Sequence, residues 1–448
     1  MINWHDKKVL IMGFSISGKS AAKYLAKHGA SVYITEGREE KPEDKQDVEE
    51  LTSLGIKIEF GNHSDEFIDN SYVAIISPSI PLDSELYSKV KEKNIQIISE
   101  IELAYKETGK PFVGITGTNG KTTVTALTSH ILSSEYKAPV CGNIGVPPTS
   151  LLDEEIDYFV CELSSFQMEH TNAFKAQIAC WTNFTPDHIT WHGTLENYFN
   201  AKAKLFKNPT ASRFAILNGA DEKLLELSKT CGGNVFLFDK ETEDNCCYIK
   251  DESIFYKRKG KEEFIIKLSD CPLIGHHNYQ NIMCSVIMAK IIGVSNENIK
   301  ERIMNFIVPE HRLEKVREYN GITFYNDSKA TNPEASIVAI NSFNNTNVAL
   351  IAGGRDKLTT LEEFCESVKQ HITTVVLIGE ATERFEKALL DSGFNNIVKT
   401  DTLESAIDKS IELNPDNILL SPACASFDMF TGYEERGTIF KNYVLSKK

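Results

Sequence analysis

Short runs of β-branched and aliphatic residues alternate with helical patterns along almost the whole chain. Residues 8–13 have the composition of a strand, residues 18–28 carry apolar side chains at helical spacing, and residues 31–36 are strand-like again. Because this rhythm produces βαβ units, it predicts an α/β fold with parallel sheets and helices on both faces. The same pattern predicts helices at 85–93 and 277–292 and further strands at 72–77, 95–99, 112–117, 158–163, 178–183, 213–218, 323–325, 348–352, 375–378 and 418–421.

Two interruptions divide this alternation. Gly109, Lys110 and Pro111 form a stretch typical of a linker, and the strand-helix series restarts near residue 309. We therefore predict three α/β domains, at residues 1–108, 109–308 and 309–448. Residues 248–268 are charged and alternating, which predicts antiparallel hairpins within the second domain.

The composition excludes several classes of protein. Lys and Arg number 48 and Asp and Glu number 63, so the formal charge is −15, which disfavours nucleic-acid binding. No segment approaches the ~20 apolar residues that cross a bilayer, and the apolar run at residues 9–14 is too short for a signal peptide. The 10 cysteines include no C-x-x-C pair, which favours reduced thiols. We expect a cytoplasmic protein without membrane insertion.

The strongest local motif is the run G-I-T-G-T-N-G-K-T-T at residues 114–123, placed between a predicted strand and a helix. Backbone N–H groups of such a loop, with the helix N-terminus, bind phosphate oxygens. Lys121 would contact the β- and γ-phosphates of a nucleotide, and the Thr122 hydroxyl would bind Mg²⁺. Ile115 replaces the first glycine of the strict P-loop pattern, so a plain glycine-rich turn is the alternative.

The particular form of this loop is also informative. The run T-G-T-N-G-K-T-T resembles the loop of Mur ligases and folylpolyglutamate synthases, which join a carboxylate to an amine through an acyl phosphate. A carboxylate is a poor electrophile, so ATP must first convert it to a mixed anhydride. The charge on the transferred phosphoryl group then requires metal ions and cationic side chains nearby.

Other segments extend the resemblance to the Mur ligase family along nearly the whole chain. C-E-L-S-S-F-Q at 161–167, T-N-F-T-P-D-H at 182–188 and Y-F-N-A-K at 198–202 are similar to family motifs of the central domain. G-H-H-N-Y-Q-N at 275–281, His311-Arg312 and D-S-K-A-T-N at 327–332 resemble later motifs. The resemblance implies a Rossmann-like N-terminal domain, a central P-loop ATPase-type domain and a Rossmann-like C-terminal domain.

The resemblance also implies roles for individual residues. Thr122 and Glu162 would hold one Mg²⁺, and His188 with a carbamylated Lys202 would hold a second. These residues, with Lys121, Arg312 and Lys329, form the implied catalytic set. The residues implied to bind ATP are Gly117, Thr118, Asn119, Gly120, Lys121, Thr122, Thr123, Asn278, Asn281, Arg312 and Asp327.

The first domain has a second glycine-containing turn. Gly13 and Gly18 follow a predicted strand, and Glu36 closes the next one, which is similar to a dinucleotide fingerprint. Ser15 would crowd a pyrophosphate there, which counts against NAD. The resemblance implies instead that this domain binds the UDP part of a substrate, UDP-N-acetylmuramoyl-L-alanine. The residues implied to contact it are Ile16, Ser17, Glu36, Arg38, Ser77, Asn143 and His188.

The C-terminal segment S-P-A-C-A-S-F-D-M-F at 421–430 resembles the branch of the family that adds D-glutamate. The Asp-Asn-Pro-Arg stretch expected of the diaminopimelate- or lysine-adding branch is missing from the sequence. Cations and hydroxyls suit a dianionic amino acid. The residues implied to bind D-glutamate are Lys329, Thr331, Lys357, Ser426, Phe427 and Tyr433.

Three alternatives remain at this point. The chain could be another Mur ligase or a folylpolyglutamate synthase, a non-catalytic nucleotide-binding regulator, or, from its first domain alone, an NAD-dependent oxidoreductase. Lys121, Glu162 and Lys202 are all present, which disfavours the regulator, and the oxidoreductase leaves two domains unexplained. We expect a monomer with two small-molecule substrates and no nucleic-acid partner.

Overall fold

Five parallel strands form the first of three sheets in a computed structural model of the chain. The structure describes residues 2–187, 189–206, 214–273, 275–307, 310–343, 346–356 and 358–447. The first sheet has the order β3-β2-β1-β4-β5, and its middle strands are almost fully buried. Its elements are β1 (Lys8–Met12), α1 (Ile16–Lys27), β2 (Ser31–Glu36), α2 (Lys45–Ser53), β3 (Lys57–Phe60), α3 (Asp65–Ile68), β4 (Val73–Ile76), α4 (Glu85–Glu92), β5 (Ile97–Ser99) and α5 (Glu100–Glu107).

The second sheet has nine strands in the order β14-β13-β12-β11-β10-β9-β6-β8-β7. Strands β12 to β14 pair antiparallel, which confirms the hairpins expected from the alternating charged stretch. Its elements are β6 (Phe112–Thr116), α6 (Lys121–Leu132), β7 (Val140–Gly142), β8 (Phe159–Glu162), α7 (Ser165–Glu169), β9 (Ile178–Trp181), α8 (Ile189–His192), α9 (Leu195–Ala203), β10 (Phe214–Asn218), α10 (Glu222–Ser228), β11 (Asn234–Phe238), β12 (Cys246–Lys250), β13 (Ser253–Arg258), β14 (Lys261–Lys267), α11 (His276–Ile292) and α12 (Asn296–Met304).

The third sheet has six strands in the order β15-β16-β20-β17-β18-β19, and all of its pairs are parallel except β15 with β16. The α/β class with largely parallel sheets is thereby confirmed. Its elements are β15 (Glu314–Tyr319), β16 (Ile322–Asn326), α13 (Pro333–Ile340), β17 (Val348–Gly353), α14 (Glu362–His371), β18 (Thr374–Ile378), α15 (Thr382–Asp391), β19 (Ile397–Lys399), α16 (Leu403–Glu412), β20 (Asn417–Leu420) and α17 (Tyr433–Ser446).

The chain divides into two compact units. One comprises Met1–Cys271 and Gln280–Asn305, and the other comprises Pro272–Tyr279 and Phe306–Lys448. The first two sheets therefore lie in one unit and the third sheet in the other. The domain boundaries expected near residues 108 and 309 remain predictions, and residue 309 lies outside the described residues.

Helix α5 joins the first two sheets within the first unit. The buried carboxylate of Glu102 accepts hydrogen bonds from the backbone N–H groups of Asn172, Ala173 and Phe174, at 2.8–3.1 Å. Three N–H donors satisfy a charge that would otherwise be costly to bury. The end of the first sheet is thus fixed to the loop before β9.

Two further findings concern the chain as a whole. Within the described ranges, no helix combines the length and apolar character needed to cross a bilayer. All ten cysteines are free thiols, in agreement with the expectation from their spacing.

Candidate functional site

The loop between β6 and α6 adopts a conformation that its glycines permit. Gly120 has φ +80°, in the left-handed region, and it caps the N-terminus of α6. A Cβ at Gly117 would collide with the Thr182 hydroxyl, so only glycine fits this close approach. Backbone N–H groups at a helix N-terminus after such a loop favour bound anions. The predicted phosphate loop has the expected strand-loop-helix setting.

The segment after β9 holds this loop in place. Thr182 Oγ1 donates to the Asn119 carbonyl at 2.6 Å, and the backbone N–H of Asn119 donates to Asn183 Oδ1 at 2.8 Å. The Thr118 N–H donates to the Asn183 carbonyl at 3.0 Å. The family-like T-N pair therefore fixes the loop backbone.

Two lysines converge on one carbonyl oxygen of the loop. Lys121 Nζ donates to the carbonyls of Gly117, at 3.0 Å, and Thr118, at 2.8 Å. Lys202 Nζ, on α9, donates to the same Gly117 carbonyl at 2.8 Å and is 2% exposed. Burial, with the nearby charge of Lys121, lowers the pKa of Lys202 well below its ordinary value. The site therefore favours a neutral, nucleophilic amine at Lys202.

A carboxylate lies at the end of the adjacent strand β8. Glu162 is buried, and its Oε1 accepts a hydrogen bond from Asn143 Nδ2 at 2.9 Å. Its Oε2 is buried and has no hydrogen-bond partner among the described residues. An orphaned buried carboxylate oxygen is costly unless a cation balances it, which suits a metal ligand. Asn143, predicted to contact substrate, here orients Glu162.

The structure describes no cluster of three or more His, Cys, Asp or Glu side chains able to hold a metal, within its described ranges. This is compatible with Mg²⁺, which usually takes one or two carboxylates and completes its shell with water and phosphate oxygens. His188, predicted as a ligand of the second metal, lies outside the described residues, and so does Lys357.

Asn281 is placed against the phosphate loop by α11. Its Oδ1 is the atom that a Cβ at Gly120 would meet, so the amide lies beside the start of α6. It is buried, and its carbonyl accepts from Ser285 Oγ at 2.9 Å. Within the first unit the structure thus brings together the phosphate loop, Glu162, Lys202 and Asn281. The roles predicted for these residues, and for Thr122 and Thr123 on the first turn of α6, remain predictions.

A separate cavity of about 590 Å³ opens at the carboxyl ends of the first-sheet strands. Glu36 lines it and accepts a hydrogen bond from the Phe14 N–H at 2.8 Å. The sequence analysis missed most of the other lining residues, which lie at the end of β2, in the loop after β3 and in the segment from β4 into α4. They include Thr35, Gly37, Asn62, His63 and Lys89.

Other residues predicted to bind UDP either make hydrogen bonds or ion pairs within the protein or are exposed to solvent. Ser77 is 2% exposed and its hydroxyl is 2.7 Å from that of Ser15, the N-cap of α1. Arg38 makes a two-pronged ion pair with Asp44, including one contact of 2.9 Å. Ile16 is 62% exposed on the first turn of α1.

In the second unit, Asp327 follows β16 and is buried. Its carboxylate accepts from the Leu313 N–H at 3.1 Å and from Ser421 Oγ at 2.7 Å. Burial raises the pKa of Asp327 to about 7. These bonds connect the D-S-K motif to the segment after β20, which are two of the segments that carry the family resemblance.

The remaining predicted residues of this unit differ in exposure. The Lys329 ammonium lies 4.9 Å from the ring centre of Tyr433. Ser426 is 2% exposed, whereas Phe427 is 65% exposed. Arg312 lies just before β15 and Thr331 lies between β16 and α13. The N–H of Lys329 donates to the carbonyl of His311 at 3.1 Å, which joins these two segments.

A buried arginine that the sequence analysis missed holds these loops together. Arg436, on α17, is 1% exposed and donates to Ser328 Oγ at 3.0 Å and to the Ser328 carbonyl at 2.8 Å. It also donates to the Cys424 carbonyl at 3.2 Å. Burial lowers its pKa to about 10, so it remains charged at neutral pH.

We expect Arg436→Met to destabilise the second unit by about 2–4 kcal/mol, because the acceptors on Ser328 and Cys424 lose a charged donor. The measurement is urea unfolding. The matched control is Arg355→Met, since Arg355 is a largely exposed partner of Glu380 and its loss should cost under about 0.5 kcal/mol. Equal stability of the two variants would contradict this role.

Three family models match consecutive parts of the chain. They are described as the Mur ligase MurD-like N-terminal domain, at residues 7–99, the Mur ligase middle domain, at 115–289, and the Mur ligase glutamate ligase domain, at 311–424. A protein of Caldicellulosiruptor bescii named UDP-N-acetylmuramoylalanine–D-glutamate ligase is 39% identical over 98% of this chain and 97% of its own. The chain belongs to the Mur ligase family. A Clostridioides difficile protein of the same name is 37% identical, over 99% of each chain.

Solved structures show the same fold. The Mur ligase resembles UDP-N-acetylmuramate–alanine ligase MurC of Thermotoga maritima with a TM-score of 0.59 at 19% identity, over 98% of this chain and 100% of that one. MurF ligase of Thermotoga maritima, solved in complex with ADP, gives 0.60 at 16% identity, over 93% and 96%. These likenesses concern the fold alone.

Proposed function

We propose that this Mur ligase joins D-glutamate to UDP-N-acetylmuramoyl-L-alanine at the expense of ATP, a step of peptidoglycan synthesis. The observation that carries the proposal is the similarity at 37–39% identity, over nearly the full chain, to proteins named for this activity. The phosphate loop, beside a buried carboxylate and a buried lysine whose pKa is lowered, is the independent support for ATP-driven activation of an acid.

The proposed reaction has two steps. The alanyl carboxylate attacks the γ-phosphate of ATP and releases ADP, which gives an acyl phosphate. The amine of D-glutamate then attacks the acyl carbon, and phosphate leaves as the amide forms. Lys121 stabilises charge on the phosphoryl oxygens, since preorganised cations act most strongly in a dry site.

Thr122 and Glu162 would hold one Mg²⁺, and the unpartnered Oε2 of Glu162 fits that assignment. His188 and a carbamate on Lys202 would hold the other. Bound Mg²⁺ supplies positive charge that screens the phosphate oxygens from the attacking carboxylate. Gly117 to Thr123 surround the phosphates.

The first-sheet cavity is proposed to bind the UDP portion, with Glu36, Arg38, Ile16, Ser17 and Ser77 around it. The second unit is proposed to supply the amino-acid site and nucleotide contacts. The residues concerned are Arg312, Asp327, Asn278, Lys329, Thr331, Lys357, Ser426, Phe427 and Tyr433. One chain carries every motif, so we propose that the protein acts as a monomer. We also propose that it acts in the cytoplasm, where its nucleotide substrates are made.

The test is phosphate release by the purified chain with ATP, Mg²⁺ and UDP-N-acetylmuramoyl-L-alanine against a panel of amino acids. We expect turnover with D-glutamate at least about 100-fold faster than with L-glutamate, L-lysine or diaminopimelate, because the wrong acceptor cannot pair its charges and its amine at once. Equal rates across the panel would remove the D-glutamate assignment, and no ATP-dependent turnover with any amine would favour a nucleotide-binding regulator.

A further inference from the structure

His63 lies in the wall of the first-sheet cavity. It follows β3, and its Nε2 lies close to Gly37, another lining residue, since a Cβ there would be 3.1 Å from this nitrogen. Among the described residues, no hydrogen-bond partner of Nε2 is found. The other ring nitrogen, Nδ1, is 2.7 Å from Thr35 Oγ1.

The contacts of Thr35 determine where the ring proton of His63 lies. Thr35 Oγ1 is 2.7 Å from Glu59 Oε1 and 3.0 Å from the Asn62 carbonyl, and neither oxygen can donate. The single hydroxyl proton must therefore point toward one of these acceptors. The 2.7 Å contact with Nδ1 then requires Nδ1–H to donate to Thr35, because two bare atoms would repel each other. A neutral His63 consequently presents Nε2 as a hydrogen-bond acceptor.

The surroundings of His63 favour the neutral ring. Burial lowers its pKa below the ordinary value of 6.5, and the positive charge of Lys89 adds to this effect. The carboxylates of Glu59 and Glu36, from β3 and β2, and of Glu85, from α4, oppose it without reversing it. The cavity thus offers an uncharged acceptor at neutral pH.

The position of His63 suits the base of a nucleotide whose phosphates lie near α1. That helix follows β1, whereas His63 follows β3, two strands away in the order β3-β2-β1. Strands are about 4.8 Å apart, so the separation is about 10 Å. In a nucleotide the base likewise lies on the far side of the ribose from the 5′-phosphate.

We propose that His63 is a specificity residue that accepts a hydrogen bond from the imide N3–H of the uracil base. This rests on the proposed binding of the UDP portion in the first-sheet cavity. Cytosine carries an acceptor at N3 where uracil carries a donor, so the same histidine would repel it. Discrimination between the two bases follows from a tautomer that Thr35 holds in place.

The test compares the dissociation constants of UDP and CDP for the full chain by calorimetry. We expect the wild-type protein to prefer UDP by about tenfold or more, as one hydrogen bond and one avoided repulsion allow. His63→Asn keeps a donor toward Thr35 but removes Nε2, so the ratio should fall close to one. His63→Gln, which can present a carbonyl oxygen, should restore part of it. The control is His5→Asn, since His5 is largely exposed.

Two measurements on the unmodified protein make the test independent of variant folding. A uridine diphosphate methylated at N3 should bind about tenfold or more weakly than UDP. Protonation of Nε2 at acidic pH should weaken UDP binding, and this loss should be larger in the wild-type protein than in His63→Asn. An unchanged UDP-to-CDP ratio in a folded His63→Asn, or equal binding of the methylated nucleotide, would overturn the inference. If the wild-type chain bound neither UDP nor CDP, the proposed function itself would fail at this cavity.

Discussion

Lys121→Ala should lower ATP-dependent ligation by about a hundredfold or more while the protein stays folded. Its ammonium group lies at the start of α6 and bonds to the Gly117 and Thr118 carbonyls of the phosphate loop. Loss of one preorganised cation at a phosphoryl-transfer site typically costs that much or more. The measurement is kcat for phosphate release with saturating substrates.

The matched control for this prediction is Lys110→Ala. Lys110 is exposed just before β6, on the same strand-loop-helix unit but away from the loop. The control should retain near-normal turnover, and thermal unfolding of both variants should match the wild type within a few degrees. Near-normal turnover of a folded Lys121→Ala would contradict the nucleotide-loop assignment.

Lys202→Ala should be similarly inactive and partly rescued by added formate or acetate. Burial and the charge of Lys121 favour the neutral amine of Lys202. That amine can add to CO₂ with loss of a proton, which turns a cation into an anionic oxygen ligand. Alanine leaves space where a small carboxylate can supply the missing oxygens. The measurement is turnover across a formate or acetate titration.

The control here is Lys204→Ala, two residues further along the chain. Lys204 is partly exposed and pairs with Glu169, so it should be active without any additive and unaffected by carboxylates. Mass spectrometry of the native protein in bicarbonate should show an added mass of carbon dioxide that is missing in Lys202→Ala. Full activity of Lys202→Ala without additives would falsify the carbamate.

The sequence predicted the buried strands well because their signal is local. The predicted strand at residues 31–36 matches β2, and α4 differs by one residue from its predicted end. β3 and β19 were missed because they are short, half-exposed edge strands, with polar residues where a buried strand has aliphatic ones. Their pairing depends on neighbours far along the chain.

The residues of the functional site also differ in whether their signal is local in the sequence. The phosphate loop was found because its chemistry needs consecutive residues. The hydrogen-bond partners of Arg436 were not predicted, because Ser328 and Cys424 lie on other segments of the chain. The sequence did contain one signal for the burial of Arg436. Arg436, Phe440 and Val444 recur at intervals of four along α17, so the arginine lies on the same face of the helix as buried apolar residues. Such a charge indicates a fixed partner inside the protein.

The sequence could not identify His63 as a candidate binding residue for a different reason. A lone histidine after a short strand carries no pattern, and its importance depends on which nitrogen holds the proton. That is set by Thr35, Glu59 and Asn62, whose contacts are known only from coordinates. The resemblance implied a UDP site in this region but gave no reason to select His63 as a contact of the base.

The buried carboxylate of Glu102 has a consequence for dissecting the molecule. A fragment ending at the predicted boundary near residue 108 would keep Glu102 but lose the three N–H donors of residues 172–174. It would also uncover Ile101 and Ala104 of α5, which are buried in the core of the second sheet. The first-sheet cavity therefore cannot be studied in an isolated first domain, and ligand screening against it calls for a fragment that extends through the second sheet.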